Sequence, residues 1–135
     1  PLFGFGPGTY AFEYARYQKP ESITIISTNF GNMGNAHSEY LSALSETGII
    51  GFFSLILVVA VIFYSAINLY LKSKDLEKKT LILFMILSLS TYFIHAFLNN
   101  FLDTDKAAVP IWGMCAMIIA LEKHLPEKEN TTLHN

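Results

Sequence analysis

From Gly48 to Leu71 the chain runs almost without a polar interruption. A helix rises about 1.5 Å per residue, so crossing the roughly 30 Å hydrocarbon core takes about 20 apolar residues. This run meets that length. Two further apolar runs, Thr80–Leu98 and Thr104–Leu121, read as a second and a third span. Pro110 interrupts the third, but a proline is tolerated near a helix start, and neighbouring groups can satisfy the carbonyl it frees. Asp103 or Thr104 is placed to cap that helix, with Asp105 favourable to the positive end of its dipole. Hydrophobic residues make up 52% of the chain and charged residues 15%, concentrated in separate blocks. One such run also fits the core of a water-soluble protein; several in 135 residues favour a membrane class. The expected fold is all-α, with polytopic membrane helices and an outward-facing loop region carrying short helices.

Lysines set the expected orientation. The connection Lys72–Lys79 carries four lysines and Asn99–Lys106 carries one. Positively charged loops stay in the cytoplasm. Residues 1–47 and 99–103 then face outward, and 72–79 and the polar tail 122–135 face inward, the tail expected to fray. A net charge of −2 and the lack of a basic cluster argue against nucleic acid as a partner. Cys115, the one cysteine, reads as a small buried residue of the third span. The chain begins at Pro1 in what reads as the middle of a glycine motif, so it is expected to be the C-terminal piece of a longer protein.

The outward segment opens with Gly4-Phe5-Gly6-Pro7-Gly8-Thr9. Its glycines permit close backbone approach and positive φ. It reads as a tight loop or a substrate-contacting loop, and its spacing is not that of a dinucleotide-binding fingerprint. Thr9–Tyr17 reads as a short helix with Tyr10, Tyr14 and Tyr17 on one face, suited to a headgroup interface or to stacking on sugar rings. Arg16 is the only arginine, either a phosphate-chelating group or an ordinary surface residue. Ile23–Ile26 reads as a short strand and Asn29–Asn35 as a loop rich in turn residues.

His37 stands one short helix ahead of the long apolar run. Histidine is the side chain best suited to exchange a proton near neutral pH. If Asn35 caps a helix His37–Thr47, the imidazole lies in the first turn, where the dipole disfavours its charged form and favours a general base. Glu39 and Glu46 oppose that effect in part. The helix is amphipathic, with Tyr40, Leu41, Ala43 and Leu44 apolar, and is expected to lie along the outer surface before turning into the membrane at Gly48. Gly48 and Gly51 form a small-x-x-small step that allows close helix packing. A plain surface histidine on an interfacial helix is the alternative. No HxxxH or HExxH spacing accompanies it, so no metal or other cofactor is expected.

The pattern His37-Ser38-x9-Gly48-x-x-Gly51, with Gly4-x-Gly6-x-Gly8-Thr9-Tyr10 upstream, resembles the signature of the O-antigen ligase and O-antigen polymerase family. The resemblance runs from Gly4 to about Leu121. It implies a multi-span glycosyltransferase of the bacterial inner membrane, with a helical GT-C-type fold, active in lipopolysaccharide or other polysaccharide biosynthesis. Such enzymes transfer glycan from an undecaprenyl diphosphate carrier to a lipid-core, glycan or protein acceptor on the periplasmic side, without a metal. The resemblance gives His37 the role of base toward the acceptor hydroxyl. It also implies that the arginines holding the diphosphate lie in N-terminal spans that precede this chain. Phe52-Phe53 follow the second glycine where some ligases carry threonines. Ligase, polymerase and protein O-oligosaccharyltransferase all stay open.

The candidate substrate-contacting residues are Gly4, Gly6, Gly8, Arg16, Ser38, Glu46, His95, Asn99, Asn100 and Asp103. The last four gather with Asp105 and Lys106 at the outward ends of the second and third spans. Their alternative role is to hydrogen-bond neighbouring helices and close a short loop. Ser88, Ser90 and Thr91 read as packing residues. The rival class is a non-enzymatic transporter or assembly subunit, which would place ionisable groups near the membrane midplane rather than at its outer edge.

Overall fold

The computed structural model describes residues 2–17, 19, 21, 36–102 and 105–129. Among them every regular element is helical: α1 (Tyr10–Tyr17), α2 (Glu39–Glu46), α3 (Gly48–Lys72), α4 (Leu76–His95) and α5 (Asp105–Glu129). The expected strand Ile23–Ile26, the loop Asn29–Asn35 and the caps Asp103 and Thr104 lie outside the described residues. The chain divides into two compact units, Pro1–Ile56 with His95–Leu102, and Leu57–Ile94 with Asp103–Asn135.

Helix α3 has the length and apolarity to cross a membrane, and only 11% of its apolar window is buried within the structure. A core helix of a water-soluble protein would be mostly enclosed. Among the described residues it is the one helix that meets both conditions. Helix α4 begins at Leu76, ahead of the expected Thr80, and falls short because it ends at His95, so that any stretch long enough to cross takes in Lys78 and Lys79. Asp75 sets that start: its Oδ1 accepts from Glu77 N at 3.0 Å, its carbonyl accepts from Lys79 N at 2.9 Å, and Lys78 Nζ lies 3.5 Å from Oδ2. The carbonyl takes the first intrahelical bond, and the carboxylate satisfies the Glu77 donor that a helix start would otherwise leave open. Lys79 also sits over the Tyr70 ring, 4.8 Å from its centroid.

The second span was expected to reach Leu98, but α4 ends at His95 and residues 96–98 turn. Leu98 N donates to the His95 carbonyl at 3.0 Å, while the Ala96 carbonyl accepts from Glu39 N, outside the helix. Helix α5 differs in the opposite sense. It runs through Pro110 and continues to Glu129, so part of the tail expected to fray is helical. Leu121, Glu122 and Lys123 are good helix formers and extend an already nucleated helix cheaply.

In the unit Leu57–Ile94 with Asp103–Asn135, each helix buries one narrow stripe. The buried side chains are Ile62, Ala66 and Leu69 on α3, Ile82, Met85, Leu89 and Phe93 on α4, and Ile111, Cys115 and Ile118 on α5. The spacings of three, four and seven mark single helical faces. Phe63 meets Phe93 edge to face, with ring centroids 6.2 Å apart. Outside the stripes, large apolar side chains such as Val61, Tyr64, Leu71, Phe84, Ile94 and Val109 are exposed.

Candidate functional site

Every described candidate residue falls in the unit Pro1–Ile56 with His95–Leu102. Short polar bonds to the start and end of α2 organise it. At the start, Ser38 has extended backbone (φ −160°, ψ 126°) and its Oγ accepts from Leu41 N at 3.4 Å. Ser38 is therefore the N-cap, not the expected Asn35, which lies outside the described residues. His37 consequently precedes the helix instead of occupying its first turn, and its φ of 45° is left-handed. What the structure gives His37 is exposure, beside a buried and capped helix start.

Glu39 is the residue that sequence reasoning missed. An acidic group on an amphipathic helix reads as solvent-facing, yet Glu39 is only 8% exposed while Leu41 and Leu44 on the same helix are exposed. Burying a carboxylate requires donors, and one comes from the far side of the sequence. Leu102 N donates to Glu39 Oε1 at 2.6 Å, and Glu39 N donates to the Ala96 carbonyl at 3.0 Å. Tyr40 adds its ring against Phe97, centroids 4.4 Å apart. Burial, and secondarily the Glu39 charge, pushes the Tyr40 hydroxyl above its ordinary value.

These bonds fix the segment 96–102 beside the start of α2. His95 and Asn99 are paired: Asn99 Nδ2 lies 3.0 Å from His95 Nε2. When the amide nitrogen donates, that ring nitrogen must accept. Phe101 stacks on the imidazole with ring planes 20° apart. Asn100 is half-buried in the same turn. His37, His95 and Asn99 are thus attached to one scaffold through Glu39, whereas Asp103 lies outside the described residues.

The other end of α2 joins the two glycine blocks. Phe5 N donates to the Ser45 carbonyl at 3.0 Å and Gly6 N to the Glu46 carbonyl at 2.9 Å, satisfying groups that a helix end leaves open. Glycine is required where the backbones touch. A Cβ on Gly4 would collide with the Glu46 backbone, and one on Gly48 would lie 2.5 Å from the Leu2 carbonyl oxygen. Gly48 also has φ +76° and lets the chain pass from α2 directly into α3. Gly51 makes room for the Thr47 side chain. The small-x-x-small step expected to pack helices instead receives the amino-terminal loop and its own preceding threonine.

Gly4 and Gly6, read as part of a tight loop or a substrate-contacting loop, lie against the end of α2, where Glu46 contributes its backbone carbonyl. Gly8 has φ +72° with open space around it. Arg16 lies in α1, which packs against α2, and its side chain is outside what the structure describes. Helix α1 itself matches the expected Thr9–Tyr17 segment, started by the Thr9 carbonyl accepting from Phe12 N and Glu13 N. Among the described residues no group of three His, Cys, Asp or Glu side chains is arranged to hold a metal ion. The arrangement offers an exposed imidazole, an amide–imidazole pair with an aromatic plate, and a rigid mount for both. No protein-family model, no curated protein and no solved structure matches the chain.

Proposed function

We propose that the chain belongs to a membrane glycosyltransferase of the O-antigen ligase or polymerase type, with His37 as general base. The observation carrying this reading is the placement of an exposed His37 two residues ahead of a helix, α2, that leads through Thr47 alone into α3. A sugar linked to a polyprenyl diphosphate is confined to the bilayer, so its reacting carbon stands at headgroup height. A base for that reaction must stand there too. In the proposed step the His37 imidazole takes the proton of an acceptor hydroxyl. The oxygen then bonds to the anomeric carbon as the diphosphate leaves with the electron pair of the broken bond. His95 and Asn99, with Phe101 behind them, orient a sugar by hydrogen bonds and stacking.

In this reading α4 and α5 are further crossings. The exposed apolar side chains around their buried stripes support that, since lipid accepts such surfaces and water does not. The lysines at 72, 74, 78 and 79 support a cytoplasmic α3–α4 connection, which in this reading leaves His37 at the periplasmic face.

The test is His37→Ala in the full-length protein, with membrane protein level as control. General-base assistance contributes roughly 10²–10⁴-fold, so transfer should fall by that factor while lipid-linked donor accumulates. Unchanged transfer at equal protein level would remove His37 as the base.

A further inference from the structure

Leu2, Phe3 and Phe5 are 65%, 75% and 51% exposed, although the segment carrying them is firmly held. Phe5 N and the following Gly6 N are hydrogen-bonded to the end of α2, and the Leu2–Gly4 backbone lies against Gly48, the first residue of α3. No charged residue occurs from Leu2 to Phe12. The exposed Ile49, Ile50 and Phe53 continue the apolar surface into α3, and Leu41 and Leu44 continue it along α2.

We propose that Leu2–Phe5 is a shallow lipid-inserting wedge, whose side chains enter the boundary between headgroups and acyl chains beside the mouth of α3. This rests on α3 crossing the bilayer and on no part of the glycosyl-transfer chemistry. Depth follows from length. At about 1.5 Å per residue α3 is roughly 37 Å long and outreaches the roughly 30 Å hydrocarbon core by a few ångströms at each end. Gly48 therefore stands at the boundary, and a backbone touching it stands at the same height. The wedge cannot go deeper, because irregular backbone is not tolerated in lipid-exposed hydrocarbon. At the boundary, water and headgroups satisfy the loop's free backbone groups while its rings reach the acyl chains.

The test uses the full-length protein in phosphatidylcholine vesicles, with Trp112 and any other tryptophan replaced by Phe. One variant then carries Phe3→Trp and a second Val61→Trp, near the middle of α3. Lipids brominated near the carbonyl end or near the methyl end of their chains act as quenchers, with iodide as the aqueous quencher. The Phe3→Trp indole should lose most intensity to bromines near the carbonyl end, and Val61→Trp to those near the methyl end. If Val61→Trp is quenched by lipid and Phe3→Trp is not, or is quenched by iodide alone, the patch is open to water or covered by protein and the wedge is wrong. Strongest quenching of Phe3→Trp by deep bromines would also overturn the shallow placement. If Val61→Trp escapes both bromolipids, α3 does not cross and the wedge falls with it.

Discussion

The two units of this chain are held together by different forces. In the unit carrying His37, the polar Ser38 and Glu39 are buried along with Ala96, and cohesion comes from backbone groups donating across long sequence separations. In the other, the most completely buried large side chains are Ile82, Leu89 and Ile118, and apolar packing does the joining. The contrast separates tasks. Directional bonds hold polar groups in one geometry, whereas packed stripes tolerate sliding and repacking as long as volume is kept.

That contrast is open to attack at several points. Leu89→Ala should give the largest stability loss, about 2–5 kcal/mol by chemical unfolding in detergent, because it empties a fully enclosed site. The proposed glycosyl transfer by the fraction that remains folded should be unchanged; a loss there would mean the packed unit also shapes the site. Gly48→Ala should cost about 1–3 kcal/mol, since it forces a Cβ into a left-handed residue already touching Leu2–Gly4. Limited proteolysis should then cut the amino-terminal loop faster, and an unaltered cleavage rate would argue against the two glycine blocks supporting each other. Glu39→Gln keeps an acceptor but removes the charge, and should cost about 1 kcal/mol. Hydrogen exchange at the Leu102 amide is the direct readout, and no acceleration would show that the 96–102 segment is held by something else.

The smallest effect concerns Tyr40. Its hydroxyl titrates above the ordinary 10.0 because burial, aided by Glu39, disfavours the phenolate. A group raised in the folded state contributes stability that is complete below its unfolded value and disappears as pH climbs through the folded one. The contribution of Tyr40 should therefore persist to about pH 10 and fade above it. Subtracting the ultraviolet titration of Tyr40→Phe from that of the unaltered protein should isolate one late tyrosinate; a difference curve centred at the ordinary value would break the assignment.

Hydropathy made the packed unit legible in the sequence. The bounds of α3 follow the apolar run almost residue for residue, and Cys115 is buried as its neighbours suggest. The ends of α4 and α5 were less legible, because Asp75 and the Ala96 carbonyl are local bonding choices that hydropathy does not register. In the other unit the spacing of the histidine and glycine blocks was visible, but not that the blocks touch. Asn35 and Ser38 are equally good cap residues by type. The tertiary bonds of Glu39, its Oε1 accepting from Leu102 N 63 positions away and its N donating to the Ala96 carbonyl, tie the helix start down at Ser38. A buried carboxylate has no periodic signature, so Glu39 could not be read before its partners were located.

The left-handed backbone at His37 has a consequence for how its proposed role as base is tested. Alanine at that position removes the ring and also places an ill-suited residue at φ 45°, so a lost reaction would mix absent proton transfer with a displaced Ser38. Asparagine visits that region readily and carries no group that accepts a proton near neutrality. His37→Asn is thus the substitution that silences the proposed base while leaving the chain's path alone, and agreement between the two variants would assign the whole defect to the imidazole.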